Sequence, residues 1–118
     1  MTVVTLEVAK IRLRADASEA DLLGASERFQ RDFLDKQPGF IRRELLRLDD
    51  RNYLDLVHWR NAADATSVLQ RTADSPSARA YFSLMETDPE KPAITHYASL
   101  VTYGRDVLLE QIKKAECM

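Results

Sequence analysis

Gln37-Pro38-Gly39-Phe40-Ile41-Arg42-Arg43-Glu44-Leu45-Leu46-Arg47-Leu48, then Asp49-Asp50-Arg51-Asn52, then Tyr53-Leu54-Asp55-Leu56-Val57-His58-Trp59 is the stretch on which the fold turns. Pro38-Gly39 ends whatever helix precedes it, since proline lacks a donor and glycine accepts the left-handed backbone of a helix exit. Phe40 to Leu48 and Tyr53 to Trp59 are two β-rich runs, and the acidic and Asn residues between them suit a turn. The segment reads as a β-hairpin with a loop longer than the tightest type.

On the N-terminal side, Ser18 caps a helix with Glu19 and Asp21 in its first turn. Leu22, Ala25, Phe29 and Phe33 recur at helical spacing and make one apolar stripe that ends near Lys36. Before that helix, Val4, Leu6 and Val8 alternate with polar positions, and then Ile11 and Leu13 do so one residue out of phase. This predicts a long first strand with a bulge near Ala9 and Lys10. On the C-terminal side, Asn61 caps a second helix carrying Ala62, Ala65, Val68 and Leu69, and Ser75-Pro76 opens another helical turn bearing Tyr81, Phe82 and Met85. Asp88 to Pro92 is a polar connector, Ile94 to Tyr103 the last strand, and Val107, Leu108 and Ile112 mark a C-terminal helix.

The element order β-α-β-β-α-α-β-α is the split βαβ arrangement of a ferredoxin-like α+β domain. Right-handed crossovers give a four-stranded antiparallel sheet in the order 4-1-3-2 with the helices on one face. We read one domain over residues 1–118, with a core at about 4–103 and a helical extension at 104–118. Parity assigns Tyr53, Val57 and Trp59, with Tyr97, Val101 and Tyr103, to the face without helices. Glu7, Arg42, Glu44 and Asp55 go to that face as a polar set, paired across strands or lining a barrel. The face is not wholly polar, and covering its aromatic and apolar residues predicts a homodimer.

Composition excludes several functions. Seventeen basic against nineteen acidic residues give a net charge of −2 with no basic block, which disfavours nucleic acid and anionic membrane as partners. The lone Cys117 makes neither an internal disulfide nor a metal site, and no signal segment is evident, so a cytoplasmic setting is expected. Glu7 and Lys10 interrupt the apolar N-terminus, so it does not span a membrane. Three glycines form no phosphate-binding loop, and the motifs of nucleotide, flavin and zinc enzymes are absent. No metal or cofactor is expected.

Gln37 to Arg43, Tyr53 to Trp59 and Asn61 to Ala65 together resemble the antibiotic-biosynthesis-monooxygenase-like family, and the resemblance extends over roughly Thr5 to Val101. It implies a homodimer whose sheets pack into an α/β barrel. Members of that family include cofactor-free oxygenases of polycyclic phenols, haem-degrading enzymes and proteins acting on small metabolites. Haem degraders use an Asn on the first strand, a Trp and a helix-borne His. Here Asn52 and Asn61 lie elsewhere, His58 and His96 fall on strands, and only Trp59 matches.

The resemblance therefore implies a cofactor-independent monooxygenase acting on a small aromatic, phenolic substrate. The alternative is a non-catalytic dimeric module that binds a small apolar ligand or serves a stress response. His58 shares parity with Leu54 and Leu56, and His96 with Ile94 and Ala98, so both are expected to face the helices about 10 Å apart across the first strand. Either is then a base for a phenol near neutral pH, with the other or Tyr97 as a second donor. Each also reads as a half-buried histidine hydrogen-bonded locally. Trp59 is a wall and hydrogen-bond donor for a flat ligand, or a core residue where strand three meets the second helix. Phe29, Phe33, Tyr81 and Phe82 line an aromatic pocket in one reading and are plain core in the other.

Overall fold

The computed structural model describes residues 3–105. Its strands are β1 (Thr5–Arg12), β2 (Phe40–Arg47), β3 (Asn52–Trp59) and β4 (Ile94–Ala98), and its helices are α1 (Glu19–Asp32), α2 (Ala62–Arg71) and α3 (Pro76–Phe82). Short 3₁₀ turns follow α1 at Leu34–Lys36 and α2 at Thr72–Asp74. The sheet is antiparallel throughout with the order β2-β3-β1-β4, which is the predicted 4-1-3-2. The C-terminal helix expected around Val107 to Ile112 lies outside the described residues.

The predicted caps are in place. The Ser18 hydroxyl accepts from the Asp21 amide at 3.1 Å while the Asp21 carboxylate accepts from the Ser18 amide at 2.9 Å, a reciprocal capping box. The Asn61 side chain accepts from the Asp64 amide at 2.8 Å, and the Ser75 hydroxyl from the Ala78 amide at 3.2 Å. In the hairpin loop, the Asp49 carboxylate accepts from the amides of Arg51 and Asn52. At Gly39 the backbone takes φ +79° between helix exit and hairpin.

Two strand expectations are corrected. β1 has no bulge near Ala9, because its register against β3 is continuous from Thr5↔Trp59 to Arg12↔Asn52. The phase change arises because apolar residues occupy both faces of the strand in turn. Thr5, Glu7 and Ile11 are buried, with Leu13 beyond, while Leu6 and Val8 occupy the opposite face half-buried. The register irregularity sits instead on β2 between Phe40 and Arg42. The last strand stops at Ala98 rather than Tyr103, since Ala98 pairs with Thr5, the first residue of β1, and one further bond from the Ser99 amide to the Val4 carbonyl exhausts the partner. Val101 and Tyr103 are exposed beyond it.

The larger correction is the parity of β3. Tyr53, Val57 and Trp59 are buried beneath the helices with Leu22, Phe29, Phe33, Val68 and Tyr81, and Leu54, Leu56 and His58 take the bare face. Phe29 stacks on Phe33 and on Tyr81 at centroid distances of 5.6 and 5.0 Å. Trp59, wholly buried, meets Phe40 edge to face at 5.8 Å. Directly opposed residues on antiparallel strands share a face, so Glu7 and Asp55 also lie beneath the helices, while Arg42 and Glu44 face away as expected.

Candidate functional site

Beneath the helices the sheet carries an unusual polar floor. Arg43 on β2 and Asp55 on β3 form a bidentate pair, Nε to Oδ1 at 2.9 Å and Nη2 to Oδ2 at 3.0 Å. The Tyr81 hydroxyl at the end of α3 donates to Asp55 Oδ2 at 2.7 Å. The Arg43 guanidinium lies 5.3 Å from the Phe29 ring centre and 5.2 Å from that of Tyr81, so the cation is held by π faces as well as by its acid. Burial opposes the charge on Arg43, yet the hydrogen bonds and attraction of Asp55 prevail and its pKa is raised. Burial first, and the Asp55 carboxylate second, push the Tyr81 phenol far above its ordinary range. It stays a hydrogen-bond donor at any physiological pH.

One row along the sheet, Glu7 of β1 faces His96 of β4, with Oε1 and Nε2 at 3.2 Å. Burial raises the Glu7 pKa, against the opposing hydrogen bond and charge of His96. The Trp59 indole also favours the Glu7 carboxylate weakly, although its buried Nε1 makes no hydrogen bond of normal geometry.

An open cleft of about 610 Å³ runs along the β1–β4 side of this floor. Its outer wall is the chain between α3 and β4. That segment is tied to β1 and the residues just after it by the Arg14 amide on the Leu84 carbonyl, the Glu86 amide on the Arg12 carbonyl and the Lys10 amide on the Ala93 carbonyl. Asp55 and Tyr81 stand at the base, and Phe82, Met85, Pro89 and Ile94 give apolar walls. The volume is within the range of small-molecule sites, roughly 300–1,000 Å³.

The sequence-predicted site residues divide accordingly. Tyr81 and Phe82 line the cleft, while Phe29, Phe33 and Trp59 are packed core. His58 and His96 do not share a space. His58 sits opposite Leu6 and His96 opposite Glu7, so consecutive residues of β1 put the two rings on opposite faces of the sheet. The earlier geometry fails because Leu54 and Leu56, taken as core markers, belong to the bare face. Tyr97, 54% exposed, is on that face too, so it offers no second donor to His96. Asp55, Arg43 and Glu7 were missed as interior groups. The available signal was the bulk of Tyr53 and Trp59 on the Asp55 parity, which outweighs Leu54 and Leu56 in buried area.

No protein-family model and no curated protein matches the chain. Solved structures do. This is an antibiotic-biosynthesis-monooxygenase-like fold. SnoaB from Streptomyces nogalater, a cofactor-independent oxygenase, superposes with a TM-score of 0.68 at 20% identity, covering 88% of this chain and all of its own. A Bordetella bronchiseptica protein, named for the antibiotic biosynthesis monooxygenases, gives 0.68 at 17% identity over 85% of this chain and 100% of that one. One from Nitrosomonas europaea, similarly named, gives 0.60 at 14% identity over 88% and 97%. Among the described residues no helix is long and apolar enough to cross a membrane, and no group of His, Cys, Asp and Glu is placed to hold a metal.

Proposed function

We propose that the protein is a cofactor-independent monooxygenase that binds a small hydroxylated aromatic compound in the cleft beside Asp55 and Tyr81. The observation that carries this reading is a buried, charge-compensated acid at the base of a substrate-sized cleft with apolar walls, whose lining also includes Lys10, Glu86, Asp88 and Lys91. A flat ring is desolvated between Phe82, Met85 and Ile94, and its hydroxyl donates to Asp55. Loss of the hydroxyl proton makes the ring electron-rich enough to reduce O₂. One oxygen atom enters the ring, the other leaves as water, and the phenol becomes a quinone with no external reductant. The likeness in fold to a cofactor-independent oxygenase supports the same reading.

In this proposal the working unit is a homodimer in the cytoplasm. Leu6, Val8, Leu46, Leu54 and Leu56 share the bare sheet face with Tyr97, and a second copy is the partner suited to cover it. A second reading, a non-catalytic carrier of a small apolar ligand, is favoured by the stacked Phe29, Phe33 and Tyr81 rings, which fill the middle of the interior. Oxygen uptake measured with a panel of phenols, in air and after deoxygenation, separates the two. The oxygenase consumes O₂ and yields a quinone, whereas the carrier binds the phenol unchanged.

A further inference from the structure

We propose that Glu7 and His96 form a proton relay that carries the proton released in the cleft to solvent at the β4 edge. The inference rests on the cleft being a phenol site. Asp55 is fixed as an acceptor by two bonds from Arg43 and one from Tyr81, so it is a poor resting place for a proton. Glu7 is its diagonal neighbour on the same face, because Glu7 pairs with Val57 and Asp55 lies two residues back. Diagonal neighbours are about 7–8 Å apart at Cα, within reach for long side chains. Glu7 is 8% exposed, and the polar groups acting on it are His96, Asp55 and the Trp59 indole. The His96 ring, by contrast, is 31% exposed. The pair thus has one end buried beside the cleft acid and the other in water.

The step balances without a redox partner. The substrate O–H bond breaks beside Asp55 and the proton comes to rest on the Glu7 carboxylate. Glu7 then passes a proton to Nε2 of His96, and the imidazolium loses one from Nδ1 to water. Glu7 returns to the carboxylate and the ring is left neutral as its Nε2–H tautomer, which exchange with water resets to Nδ1–H before the next transfer; the phenolate remains in the cleft.

1-Naphthol is a suitable probe, since its phenol and phenolate forms differ in absorbance. With naphthol bound, a stopped-flow jump from acid to mildly alkaline pH should give a fast phase of naphtholate formation in the parent protein. His96→Gln should slow that phase about a hundredfold or more, the lower end of general acid–base effects, and added imidazole should restore it. Glu7→Gln should remove the fast phase, with no rescue by imidazole. Both variants are read only once their near-ultraviolet circular dichroism matches the parent. An unchanged rate in His96→Gln, or a slow rate that imidazole leaves untouched, overturns the relay alone. Failure of naphthol to bind overturns the cleft reading and the relay with it.

Discussion

Arg43 and Asp55 meet as a two-pronged ion pair whose side chains are each 6% exposed, with the Tyr81 hydroxyl donating a third bond to the carboxylate at Oδ2. A buried pair of this kind is costly to half-remove, because the surviving charge keeps its desolvation and loses its partner. Arg43→Leu should therefore lower stability by about 3–5 kcal/mol. Tyr81→Phe, which removes one donor and no charge, should cost about 1–3 kcal/mol. Urea unfolding at neutral pH measures both. A loss below about 1 kcal/mol for Arg43→Leu would mean that the pair is solvated, contrary to the structure.

Glu7 adds a pH dependence of defined sign. Its carboxyl titrates above the ordinary 4.5 because burial disfavours the charged form. The folded state therefore binds the proton more tightly than the unfolded chain does, and stability associated with Glu7 falls as pH rises from 4.5 through the folded-state pKa. Glu7→Gln should gain stability relative to the parent over that interval. Paired denaturation curves on the two sides of it test this, and a difference that does not change with pH would contradict the buried placement.

Gly39 is required twice over. Its φ is +79°, and a Cβ there would collide with the Asp64 carboxylate, which Arg60 holds at 2.8 Å. Gly39→Ala should destabilise by roughly 1–3 kcal/mol in thermal unfolding. Asp64→Ala in the same background should recover only the part due to collision, since the backbone strain stays.

How far the sequence could be read follows from the same residues. Ser18, Asn61 and Ser75 announce their helices because a cap is a local bond between neighbours in the chain. The strand order was legible because connection rules depend on element order alone. The facing of β3 was not. Tyr53 to Trp59 has apolar residues on both parities, and its buried side includes Asp55, compensated by an arginine twelve residues away. A rule that sends polar residues outward has no means of seeing that pair. The same inversion moved Glu7 inward and parted His58 from His96. The cleft was illegible for a further reason: its outer wall is the connector between α3 and β4, which carries no periodic pattern.

Leu54, Leu56, Leu6 and Val8 form the centre of the bare sheet face, and Leu56 lies directly opposite Val8. If a second copy covers them, the parent sediments as a dimer that buries more than about 1,000 Å² in total. Leu56→Lys should then produce a folded monomer at micromolar concentration. A parent that already sediments as a monomer removes the dimer from the account and leaves the cleft in place.

Oxygen consumption by the purified protein, compared with an Ile94→Trp variant, bears most directly on the central claim. Ile94 is half-buried on the edge strand and lines the cleft, so an indole there fills the space while leaving Arg43, Asp55 and Tyr81 themselves unsubstituted. With a phenol that the parent oxidises, one O₂ should disappear for each quinone formed, and Ile94→Trp should lose at least about 10²-fold in rate, the scale of lost substrate positioning, while unfolding at the parent's denaturant midpoint. No uptake with any hydroxylated aromatic, or full activity in the filled variant, would contradict the assignment of the cleft as an oxygenase site.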